Sequence, residues 1–109
     1  MTENAATYAA IALQLAARSV EGAPDRAAAR AQMLAQIEEV GAKLTASMIF
    51  VEQYGGAPVR LAVLPEYLLT SYPGRISIPE FAHKAALEPD GPEYEAFGRI
   101  AQRRNVFIA

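Results

Sequence analysis

The sequence predicts an α/β fold, a βαβαβ portion with a parallel sheet, and three of its segments carry that expectation. Leu61-Ala62-Val63-Leu64 is an uncharged apolar run stopped by Pro65, the pattern of a strand buried on both faces beneath helices. Upstream, Met33, Ile37, Val40, Leu44 and Met48 recur at steps of four, three, four and four, which is one stripe of a long helix. Downstream, Asp90-Gly91-Pro92-Glu93 opens a second helical pattern that runs into the apolar Val106-Phe107-Ile108-Ala109. Strands separated by helices of this length pair in parallel through right-handed crossovers.

Along the chain, Tyr8–Leu15 is apolar but rich in alanine, so local propensity alone favours a helix there. Ser19 to Asp25 contains Gly22 and Pro24 and breaks the chain between elements. Pro24 suits a first helical turn, and Asp25 adds negative charge where the helix dipole favours it. Leu34 widens the stripe, whereas Arg30, Gln36, Glu38 and Glu39 stay mostly off it. A methionine-bearing stripe reads as core packing rather than a cofactor surface. Gly41 weakens the middle of this helix by about 1 kcal/mol relative to alanine. Thr45–Tyr54 is a continuation or a second short helix, ended by Gly55-Gly56. Tyr72-Pro73-Gly74-Arg75 is a turn by composition, and Ile76–Glu88 is ambiguous between loop and a short helix after Pro79. In the last helix, Asp90 is the expected N-cap and Glu93 its capping-box partner. Tyr94, Phe97, Ile100 and Ala101 form its apolar face, Arg103-Arg104 complement the dipole at its end, and Asn105 closes it.

The chemistry concentrates at Glu66. Pro65 cannot donate to a ladder, so the strand ends there and Glu66 stands just past its C-terminal edge. Open α/β sheets place their ligands at that edge. A carboxylate beside such an apolar run is expected to be partly desolvated, which makes it a better proton acceptor. The plain alternative is a solvated glutamate at the start of a loop.

Leu61 to Pro73, LAVLPEYLLTSYP, resembles the first catalytic segment of the nitrilase (carbon–nitrogen hydrolase) superfamily. There a strand ends in Pro-Glu and an aromatic or apolar residue, followed by a Thr/Ser-Gly/Ser-Tyr/Phe turn. Tyr8–Leu15, YAAIALQL, is similar to the family's opening strand with Gln14 near its end, and the resemblance therefore makes this segment a strand. Val106-Phe107-Ile108-Ala109 looks like the family's next strand, so the similarity covers residues 8–109. The region from Arg26 to Gly56 is longer than the usual link in that family. The resemblance implies a partial α-β-β-α sandwich, with residues 1–109 as the amino-terminal part of one hydrolase domain.

In the resembled family a cysteine nucleophile works with a glutamate and a lysine on amides or nitriles, without a cofactor or metal. Glu66 matches the glutamate. The chain contains no cysteine, and neither Lys43 nor Lys84 falls at the family's lysine position. The expectation is therefore a chain truncated before the lysine and cysteine segments, unable to turn over substrate alone. The resemblance further implies a small-molecule amide or nitrile substrate and a homo-oligomer when complete. Tyr67 and Tyr72 are expected to pack around the glutamate. The alternative is a non-catalytic binding or interaction module derived from the same fold; an unrelated flavodoxin-like domain binding an anion ranks lower, because a carboxylate at the strand end repels phosphate.

Composition bounds the remaining classes. With 52% hydrophobic and 20% charged residues and a net charge of −2, the chain has a globular composition and no electrostatic footprint for nucleic acid. Zero cysteines exclude a disulfide framework and a thiolate metal site within these residues. His83 is the only histidine, too few for a multi-histidine metal site. No Gly-rich phosphate loop or Gly-x-Ser-x-Gly elbow is present. Glu3 stands where a secretory signal needs positive charge, and Tyr8–Ala17 is too short to span a bilayer. A cytoplasmic location without membrane contact is the default expectation.

Overall fold

The computed structural model describes residues 7–109. Its elements run β1 (Ala9–Ala12), α1 (Arg26–Gly55), β2 (Val59–Val63), α2 (Ile78–Ala85), α3 (Pro92–Arg104) and β3 (Phe107–Ile108). The three strands form one parallel sheet in the order β1-β2-β3. The α/β class and the parallel sheet expected from the sequence are both present. None of the helices among the described residues is long and apolar enough to cross a membrane.

Helix α1 is one continuous helix of 30 residues, passing through Gly41 and Thr45 without a break. Asp25 caps it, with extended backbone and a side chain accepting from the Ala28 amide at 2.8 Å. The helix therefore starts after Pro24 rather than with it. Gly56 closes the other end in the left-handed conformation, at φ 71°. The Asp25→Ala variant should lose about 1 kcal/mol of stability, and Asp25→Asn should recover most of it. Urea midpoints of the three proteins measure this directly.

Gly41 has a packing reason. A Cβ at this position would stand 3.1 Å from Ile100 Cδ1, so glycine lets α3 lie close against α1. The expected stripe of Met33, Ile37, Val40, Leu44 and Met48 is buried, and Ala29 extends it. Gln36 departs from expectation. It is buried because its Nε2 reaches the Ala16 carbonyl at 3.1 Å, tying the helix to the segment after β1.

The strands are shorter or shifted relative to the sequence reading. β1 covers Ala9–Ala12 rather than Tyr8–Leu15, while β2 starts two residues before Leu61. Register places Ile11, Ala62 and Ile108 in one row, and Ala10, Leu61 and Phe107 in the next. Neighbouring rows point to opposite faces of a sheet. The first row packs into the helical core with Val20, Ile37, Leu44 and Ile100. The second faces outward: Phe107 is 78% exposed, and Val63 and Tyr8 are 42% and 57% exposed. The apolar run at Leu61–Leu64 is thus covered on one face, not on both.

All three helices pack directly or through one another on the same side, with α1 against α2, α3 and both longer strands. The radius of gyration is 16.5 Å and the long axis 61 Å, against about 13 Å for a compact domain of this size. Length explains it, since a 30-residue helix extends about 45 Å while each strand has five residues or fewer.

Candidate functional site

The site is built where β2 ends. Hydrogen bonds from the Leu13 amide to the Val63 carbonyl (2.9 Å) and from the Leu64 amide to the Ala109 carbonyl (2.8 Å) grip the central strand on both sides. Pro65 has no amide to continue the ladder, and the chain turns through Glu66–Thr70. The Ser71 amide closes that turn onto the Tyr67 carbonyl at 2.8 Å. Tyr67 and Ser71 both adopt positive φ, 58° and 57°, a conformation uncommon for residues other than glycine.

Neighbouring backbone holds this strained turn in place. The Arg18 amide donates to the Leu68 carbonyl and the Val20 amide to the Thr70 carbonyl, at 3.3 and 3.2 Å. Leu68 and Leu69 are buried beneath it. Glu66 is therefore carried on a loop fixed by the segment that follows β1, at the mouth of a groove of about 470 Å³. Leu64, Leu68, Leu87, Phe97 and Ile108 supply apolar wall, with Tyr67 and Tyr94 at the exposed rim.

Two expectations for the glutamate change. Glu66 is exposed rather than partly desolvated, because the outward sheet face beside it is open to water. Tyr67 lines the groove with it, but Tyr72 is exposed outside the groove and does not pack around the carboxylate. No ion pair among the described residues holds Glu66.

A second carboxylate lines the same groove and was not expected there. Glu93 is 0% exposed, and its Oε1 accepts from Arg30 Nε at 2.8 Å. Its Oε2 is buried without a hydrogen-bond partner. Glu93 does not complete a capping box, and Asp90 is not the cap. Pro92 occupies the first helical position, which moves the N-cap to Gly91, and no side chain caps α3. At the other end of α3, Asn105 closes the helix in the left-handed conformation at φ 53°, as expected. Tyr94 belongs to the groove rim rather than to a buried helix face.

The remaining polar residues are accounted for elsewhere. Lys43 pairs with Glu39 at 3.2 Å on the surface of α1. Lys84 is nearly buried on α2, where it bonds the Glu21 carbonyl and Glu80, both at 3.3 Å. Neither lysine lines the groove. The exposed His83 offers only its carbonyl, to Arg26 Nη1 at 2.7 Å. Among the described residues no group of three His, Asp or Glu side chains converges as a metal site would require.

Chemically, the groove can seat an apolar body and present one free carboxylate at its mouth to take a proton. The one aliphatic hydroxyl in it, on Thr70, is committed to the Ser71 carbonyl at 2.9 Å. Compared with protein-family models, curated proteins and solved structures, the chain matches none, so the likeness of its Pro-Glu segment to the carbon–nitrogen hydrolases rests on the sequence itself.

Proposed function

We propose that this chain is the glutamate-bearing, amino-terminal portion of a carbon–nitrogen hydrolase of the nitrilase type, acting on amides or nitriles. The observation that carries the proposal is the position of Glu66. It follows the central strand of a parallel sheet, on a loop pinned by the segment after β1, at the mouth of an apolar groove. The outward sheet face formed by Tyr8, Val63 and Phe107 offers the surface that a second sheet covers in an α-β-β-α sandwich.

In this mechanism a cysteine from outside these 109 residues presents its thiol to Glu66. With an amide, Glu66 takes the thiol proton as sulfur bonds to the carbonyl carbon and hands it to the nitrogen as the C–N bond breaks and ammonia leaves. Again a carboxylate, it then takes a proton from the water that releases the acyl group as the acid. A lysine, also from outside these residues, stabilises the charge developing on the substrate heteroatom. Closure of the groove by those residues would remove water from around Glu66 and strengthen it as a base.

Reading the source DNA through the codon for Ala109, and expressing the longest frame, tests the proposal. A frame continuing into a lysine and then a cysteine, with ammonia released from a panel of aliphatic amides and nitriles, is the expected result. A stop codon directly after Ala109, with no ammonia released, would overturn it. That outcome would favour a non-catalytic interaction module, for which the same outward apolar face is the specific observation.

A further inference from the structure

One of the residues lining the groove is a built but unsatisfied acceptor. Glu93 is fully buried, Arg30 occupies one of its oxygens at 2.8 Å, and Oε2 is left without a donor. Buried polar atoms are nearly always paired, and a carboxylate oxygen is the least tolerant of being left alone. The Gly91 turn packs beside it. A Cβ on Gly91 would stand 3.4 Å from Glu93 Oε2 and 3.0 Å from the Glu88 carbonyl, so glycine is what fits that turn.

Charge and shape then restrict what can donate to Oε2. Arg30 already balances Glu93, while Glu66 adds a further negative charge at the mouth. No lysine or arginine lines the groove, so an anionic head group meets repulsion without compensation. The walls accept an alkyl or aryl body. The geometry points to Glu93 Oε2 as the acceptor for an N–H donor head, an ammonium before a neutral amide, on a small molecule whose apolar body lies in the groove. Oε2 is buried, so a donor reaches it only as a neighbouring side chain moves.

This assignment shares the groove with the proposed hydrolase but needs no chemistry from Glu66. It is therefore tested by binding, on the 109-residue chain itself. Amide NMR spectra are recorded while n-butylammonium, butyramide or butyrate is added, three probes of similar size and different head charge. The ammonium should shift the resonances of Glu66–Thr70 and Glu93–Phe97, butyramide should do so more weakly, and butyrate should not. Glu93→Gln should weaken the ammonium at least tenfold.

Equal shifts from ammonium and butyrate would overturn the assignment, as would no shifts at all, which would leave Oε2 to an ordered water. So would a folded Glu93→Gln protein that binds as before. The probe series on the unaltered chain decides the matter even where that variant does not fold. Ammonium binding would stand if no hydrolysis were ever found. Hydrolysis without ammonium binding would remove the role of Glu93 and leave that of Glu66.

Discussion

Arg30→Met should destabilise the chain by about 3 kcal/mol or more, a large fraction of the ~5–15 kcal/mol that keeps a domain folded, read as a lowered urea midpoint. The cause is what the substitution leaves behind. Arg30 on α1 reaches Glu93 on α3 across 63 positions of sequence, and Glu93 has no exposure through which water could replace the lost partner. Breaking a buried pair from one side strands a charge, whereas removing both charges removes the problem. The double variant Arg30→Met/Glu93→Leu should therefore recover most of the loss. Arg18→Ala is the control. It breaks a 2.9 Å pair with Glu39 in which both side chains are well exposed, and should change stability by no more than about 0.5 kcal/mol. Circular dichroism during urea titration measures all four proteins. An Arg30→Met chain as stable as the parent would mean that the Glu93 carboxylate leaves the interior.

The second large effect concerns activity. In a protein carrying this segment together with its cysteine and lysine, Glu66→Gln should lower hydrolysis by about 10²–10⁴-fold, the usual contribution of a positioned acid–base group. Glutamine preserves size and polarity but cannot take the thiol proton. Because Glu66 is exposed and pinned only through backbone bonds of its loop, folding should be unchanged to within about 0.5 kcal/mol. The two readouts together separate catalysis from structure. Hydrolysis at the parent rate in the folded variant would remove Glu66 from the chemistry.

What the sequence makes legible follows from where each signal is stored. The α1 stripe, the Gly56 and Asn105 caps and the stop at Pro65 are local patterns, written within one element, and they are found in the structure. Glu93 was not legible. A glutamate three residues after Asp90 reads as its capping-box partner, and nothing near it in sequence indicates Arg30. Gln36 escaped for the same reason, since its partner is the Ala16 carbonyl in a separate loop. The apolar run at Leu61–Leu64 announced a strand, yet apolarity states what a face prefers, not whether a second layer covers it. That difference also accounts for the exposure of Glu66.

The sheet register has a consequence for how the chain is made. Ala10 pairs with Leu61, and Leu61 with Phe107, so no two strands are joined by a hairpin. Each pairing must close a loop of about 50 residues, an entropy loss of roughly 3.5 kcal/mol before any contact compensates for it. On a ribosome adding ~5–20 residues per second, β1 would wait about 3–10 s for its partner strand to be synthesised. During that interval its backbone amides and carbonyls are open to any other extended chain. The long helix between them, which can form as it emerges, is then the element that brings the two strands within reach of each other.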